Sequence, residues 1–236
     1  MQGSDSPRMT EGRAGRRNRR LPRFVAAAAA VAVAVCLAAS DGQAQAWAYP
    51  SFQPPTLTPR EFNFGIADAG NAGTSILFQW REGFAPRSQF SLDIGVGDPD
   101  ARGADNVLFL GGQYAYQIAK ASADVPLDFL LTAGAGFAFG NNTTLRVPVG
   151  VSIGHRFPLD GTVALTPYVH PRMSLDFCGG CNGDESQIGI SFDVGANLEL
   201  TRVLAIRGTA FFGGSDRFGE DGLGISLVWT PPGLRR

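Results

Sequence analysis

Residues 188–200, Ile-Gly-Ile-Ser-Phe-Asp-Val-Gly-Ala-Asn-Leu-Glu-Leu, alternate strictly between apolar and small or polar side chains. Successive side chains of a strand point to opposite faces, so this segment is a β-strand with one greasy and one wet side. Thirteen residues exceed the usual strand of about five or six. They suffice for a tilted strand crossing a bilayer, which takes about 9–11.

The same alternation runs through most of the chain after residue 60, and no segment there sustains a 3.6-residue apolar period. The pattern predicts ten strands: 61–68, 74–82, 88–97, 106–118, 127–139, 143–157, 162–175, 187–200, 203–213 and 222–229. An eight-strand count is the alternative if one hairpin is misread. The longer polar connections, 97–105, 176–186 and 214–221, all follow odd-numbered strands. Outer-membrane barrels have an even strand count, short turns on the periplasmic side and longer loops outside. The fold class predicted is therefore all-β, a closed antiparallel up-and-down transmembrane β-barrel over 61–229.

Upstream lies an export signal. Arg8, Arg13, Arg16, Arg17, Arg19, Arg20 and Arg23 precede the apolar run 24–39, and Ala44-Gln45-Ala46 follows. A basic stretch, an apolar core and an A-x-A site make residues 1–46 a secretory signal peptide cut between Ala46 and Trp47. The apolar run is shorter than the ~20 residues of a membrane helix. Residues 47–60, with Pro50, Pro54, Pro55 and Pro59, read as an extended periplasmic lead-in, and 230–236 as a short periplasmic tail.

After the signal, 13 Lys+Arg face 18 Asp+Glu, and Lys120 is the one lysine. Nucleic acid is excluded as a partner because no basic patch remains. A soluble barrel coats its outside with charged side chains, and this chain has few. The small face of each strand (Gly, Ser, Ala, Thr) suits a crowded concave interior, and the bulky apolar face suits lipid. Interior parity collects Asp93, Asp128, Asp193 and Glu199 with Arg146, Arg156, Arg172 and Arg207. Lone buried charges are costly, so these should pair as a lumen network.

Residues 222–229, Gly222-Leu-Gly224-Ile-Ser-Leu227-Val-Trp229, resemble the last-strand signal of outer-membrane β-barrel proteins. Over 60–229 the chain is similar to the small OmpA-like and opacity-protein-like barrels. That resemblance implies the outer membrane of a Gram-negative-type bacterium, contact with outer-membrane lipid, and recognition of the last strand by the barrel-assembly machinery. It implies no cofactor and no catalytic residues.

Other candidate chemistry is thin. Cys178-Gly-Gly-Cys181 reads as a loop disulfide in an oxidising compartment, with no βαβ context for a redox motif and no further zinc ligands. Asp98 to Asp105 could hold calcium, although solvated turn acids are commoner. His155 falls beside Phe157 near a rim. His170 shares a parity with Tyr168, Arg172, Ser174 and Asp176, and it alone supports the reading of a lipid-modifying or hydrolytic barrel enzyme. The expected role is structural, surface-interacting or narrow-pore. The alternative from another class is a soluble, lipocalin-like barrel holding a hydrophobic ligand.

Overall fold

The structure, a computed structural model, describes residues 51–100, 105–181, 186–215, 219 and 221–232. The signal segment 1–46 with its cleavage pair Ala46 and Trp47, and the first residues of the lead-in, lie outside the described residues.

The strands are β1 (Arg60–Asp68), β2 (Thr74–Ala85), β3 (Ser88–Asp98), β4 (Val107–Ala119), β5 (Asp128–Phe139), β6 (Thr143–Gly154), β7 (Phe157–Pro158), β8 (Ala164–Gly179), β9 (Ser186–Glu199), β10 (Leu204–Gly214) and β11 (Gly222–Trp229). A single 3-10 turn, Gly70–Ala72, links β1 to β2. β7 is a two-residue pairing against β8 within one turn. The other ten strands pair antiparallel around a closed wall, with β1 against β11 and β6 against β8 completing the ring. Closure leaves no unpaired edge, the condition for β structure in hydrocarbon.

The predicted sixth strand, 143–157, stops at Gly154. The predicted seventh, 162–175, runs on to Gly179 and becomes the longest strand at 16 residues. It extends because Asp176 and Phe177 still find partners in Arg146 and Leu145 across the ladder. Prolines thin the wall here. The β5–β6 ladder skips the pairs beside Pro148, and the β6–β8 ladder skips those beside Pro171. Pro lacks the N–H such pairs need. The parity of β8 survives, with Pro167, Pro171 and Met173 outward and Tyr168, His170 and Ser174 inward.

The face assignment holds all round the barrel. Ile76 (67% exposed) and Ile190 (72%) stand outside, while Arg81 (2%) and Arg207 (1%) are enclosed. Aromatic side chains gather at the end of the barrel where the termini lie. Phe62 stacks on Trp229 at 5.3 Å, Trp80 meets Phe90 edge-on at 5.3 Å, and Arg87 lies 5.2 Å over the Tyr116 ring. Such a girdle is what amphipathic rings form at a membrane–water boundary. Toward the other end, Ala67, Ala72, Val107, Phe109, Ala138 and Phe211 form a small apolar cluster inside the barrel.

Candidate functional site: a plugged and charged lumen

The segment before β1 does not lie outside the barrel as a lead-in. Ser51, Phe52, Gln53, Pro54 and Pro55 are all buried inside it. The chemistry of the two surfaces explains the fit. Proline has no N–H, so Pro54 and Pro55 bring carbonyls that need donors and no donors that need acceptors. The inner wall supplies the donors. Arg81 Nη2 donates to the Ser51 carbonyl at 2.9 Å, and Arg207 Nη1 to that of Phe52 at 2.6 Å. Ser152 Oγ donates to the Gln53 carbonyl at 2.7 Å, and Gln117 Nε2 to that of Pro55 at 3.0 Å. Gln89 Nε2 reaches the Thr58 carbonyl at 3.0 Å nearer the rim.

Two local features seat the plug. Phe52 adopts φ 46°, a left-handed conformation costly for a bulky residue. Its ring lies over Gly65, where a Cβ would meet Phe52 Cε2 at 3.0 Å. Ser51 makes the deepest anchor. Its backbone N–H and its hydroxyl both donate to Asp193 Oδ2, at 2.9 and 2.6 Å. With that proton committed, the hydroxyl accepts from His170 Nδ1 at 2.7 Å. His170 Nε2 is then the acceptor for Thr132 Oγ1 at 2.9 Å, which assigns the Nδ1-protonated tautomer.

His170 therefore has both ring nitrogens engaged and no exposed surface. Ser51 bridges His170 and Asp193, whereas in a catalytic triad the His stands between Ser and Asp. The cluster ties the plug to the wall through Ser51.

Of the eight charges expected in the lumen, some meet and some do not. Arg146 binds Asp176 through two bonds of 2.8 and 2.9 Å. Arg172 pairs with Asp193 at 2.6 Å. Arg207 reaches Glu61 at 2.9 and 3.2 Å and Asn197 at 3.1 Å. Arg156 and Glu199 do pair, at 2.7 Å, but at the rim beside a turn, with the arginine 43% exposed. That pair is corrected from lumen to rim because β6 ends before Arg156. Asp128 faces inward and meets no arginine among the described residues. It accepts the Ala121 N–H at 3.0 Å and lies 3.8 Å from His155. Among the described residues Asp93 forms no ion pair within 4 Å, and its Oδ1 is buried without a hydrogen-bond partner.

Sequence reasoning omitted Glu61 and Arg81, the centre of the network. Glu61 accepts from Arg81 at 2.7 Å and from Arg207, with every charged group almost fully enclosed. The parity signal was present: Glu61 and Asn63 alternate with Phe62 and Phe64, and Gln79 and Arg81 with Phe78 and Trp80. Cys178 and Cys181 are joined as a disulfide with Cα atoms 5.8 Å apart, and Cys178 lies within β8 rather than in the loop. Among the described residues, no group of three His, Cys, Asp or Glu side chains gathers as a metal site.

Neither a family model nor a curated protein matches the chain. Solved structures align with the chain at low identity. LpxR from Salmonella typhimurium aligns over 72% of this chain and all of its own, at 8% identity and TM-score 0.46. The β domain of the Bordetella autotransporter BrkA aligns over 73% and 98%, at 12% identity and TM-score 0.42. The N-terminal β-barrel domain of Pseudomonas aeruginosa OprF aligns over 72% and 95%, at 8% identity and TM-score 0.36.

Proposed function

We propose that the chain is an outer-membrane β-barrel of a Gram-negative-type bacterium whose lumen is closed by its own N-terminal segment. On this reading it serves as a structural or surface-interacting membrane protein, with no open pore at rest. The apolar outside with an aromatic girdle at one end supports contact with outer-membrane lipid. β11, carrying Gly222, Gly224, Leu227 and Trp229, is then the strand presented to the assembly machinery.

The observation that carries the closed state is the burial of Ser51 to Pro55, with backbone carbonyls taken up by Arg81, Arg207, Ser152 and Gln117. It also argues against the lipocalin-like reading. A barrel for a hydrophobic ligand needs an apolar, vacant interior, and this one is polar, charged and occupied by chain.

Planar-bilayer recording tests the proposal. The mature chain should be electrically silent, and a form lacking residues 47–58 should conduct. Steady conductance by the intact mature chain would overturn the closed-lumen reading.

A further inference from the structure

Between the plug and the apolar cluster the lumen keeps a polar cavity. Its void is about 490 Å³, counted with the solvent it opens onto. One wall is Gly111, Gly112, Gly134, Ala135 and Gly136 of β4 and β5. A run of such small residues inside strands costs stability and often marks a place where a ligand or another backbone comes close. Among the described residues, Ser51 is the part of the plug that forms its boundary.

Facing the glycines are Arg81, Arg146 and Arg172, with Asp93 as the one carboxylate on the lining among the described residues. The carboxylates paired with these arginines among the described residues, Glu61, Asp176 and Asp193, are not on the lining. The cavity therefore meets the cationic side of each ion pair. Three buried polar atoms on these side chains lack partners: Arg81 Nε, Arg172 Nε and Asp93 Oδ1. Buried donors and acceptors are seldom left so, and each orphan calls for an occupant. Two charged donors ask for an oxyanion, and a lone carboxylate acceptor asks for a hydroxyl on the same ligand.

We propose that this cavity binds a small oxyanion that also carries a hydroxyl, hydrogen phosphate being the simplest. Its unprotonated oxygens accept from Arg81 Nε and Arg172 Nε, which are enclosed and open to the ligand by a small shift of the two side chains. Its hydroxyl donates to Asp93 Oδ1. Sulfate, of similar size and fully deprotonated near neutral pH, has no proton to offer and sets oxygen lone pairs against the Asp93 carboxylate. The site therefore discriminates by hydrogen bonding rather than by size.

Calorimetric titration of the full mature chain in detergent, at constant ionic strength, tests this with sodium phosphate and sodium sulfate as probes. Phosphate should bind saturably, one per chain, and at least about tenfold more tightly than sulfate. Asp93→Asn replaces the acceptor by an amide that can donate, so it should remove or reverse that preference. Gly136→Leu fills the glycine wall and Arg172→Gln removes a donor; each should weaken phosphate binding at least about tenfold. Folding of each variant is checked by its heat-modifiable migration. If Arg172→Gln does not fold, Gly136→Leu and Asp93→Asn carry the test. No saturation up to about 20 mM phosphate, or an unchanged phosphate-to-sulfate ratio in Asp93→Asn, would overturn the proposal. Conductance by the intact chain would contradict the closed lumen and leave this titration standing, so the two readings fail separately.

Discussion

Arg207→Ala probes the network that ties plug to wall. Arg207 is 1% exposed and donates four bonds: to the Phe52 carbonyl, twice to Glu61, and to Asn197 Oδ1. Breaking a buried ion pair by removing one partner costs about 3–5 kcal/mol. Glu61 keeps Arg81 at 2.7 Å, which places the ion-pair loss at the lower end, about 3 kcal/mol. The stranded Phe52 carbonyl adds about 1–3 kcal/mol unless water reaches it. A total of about 4–6 kcal/mol is expected. Equilibrium urea unfolding in lipid vesicles, followed by tryptophan fluorescence, measures it. Pairing Arg207→Ala with Glu61→Gln in a double-mutant cycle isolates the coupling, which should exceed about 1 kcal/mol. A loss below about 0.5 kcal/mol would mean that the lumen is wet and the network contributes little, refuting the reasoning.

Gly195→Ala should destabilise the barrel by about 1–3 kcal/mol in the same assay, because its Cβ would sit 2.6 Å from the Tyr168 ring and push that hydroxyl off Thr209, now 2.6 Å away. Cys178→Ser should leave the barrel folded, with a loss of at most about 2 kcal/mol by loop-entropy reasoning for so small a ring; mass spectrometry of envelope protein without reductant should find the two cysteines joined. Ser51→Cys should resist water-soluble thiol reagents in the folded barrel and react after urea, since Ser51 is buried against His170 and Asp193. An epitope inserted at Gly183 should be reachable by antibody on intact cells, whereas one at the carboxyl terminus should not, because the even number of wall strands puts both termini at one end of the barrel and the β8–β9 connection at the other.

The strand pattern was legible because a period of two in a barrel wall is local and repeated. Ile188 to Leu200 alternates without a break, and β9 follows it to within two residues at one end and one at the other. Strand ends were less legible, since they depend on whether a distant partner is present. Asp176 extends β8 only because Arg146 stands opposite. Interior charges could be found by parity but not paired by it. Arg207 and Glu61 lie 146 positions apart and meet through the β1–β11 closure, which no local pattern encodes. The plug was illegible for a different reason. Its backbone is irregular, and Phe52, Pro54 and Pro55 read equally well as a solvated linker. Only the surplus of donors on the inner wall, Gln79, Gln89, Gln113 and Gln117 with Arg81 and Arg207, hinted that the lumen expected acceptors.

The central claim is that the apolar face of this barrel meets lipid, and spin labels placed singly along 190–197 in reconstituted protein test it directly. Contact with membrane-dissolved oxygen should appear at every second position. Ile190, Phe192, Val194 and Ala196 should be the accessible set, as the outward course of β9 requires. Asp193 and Asn197, buried in the lumen, should be shielded, with Ser191 and Gly195 closer to them than to the outer set. Protection of the apolar set together with free access of a water-soluble relaxant to the polar set would contradict the account, because the barrel would then be a soluble one with its faces reversed.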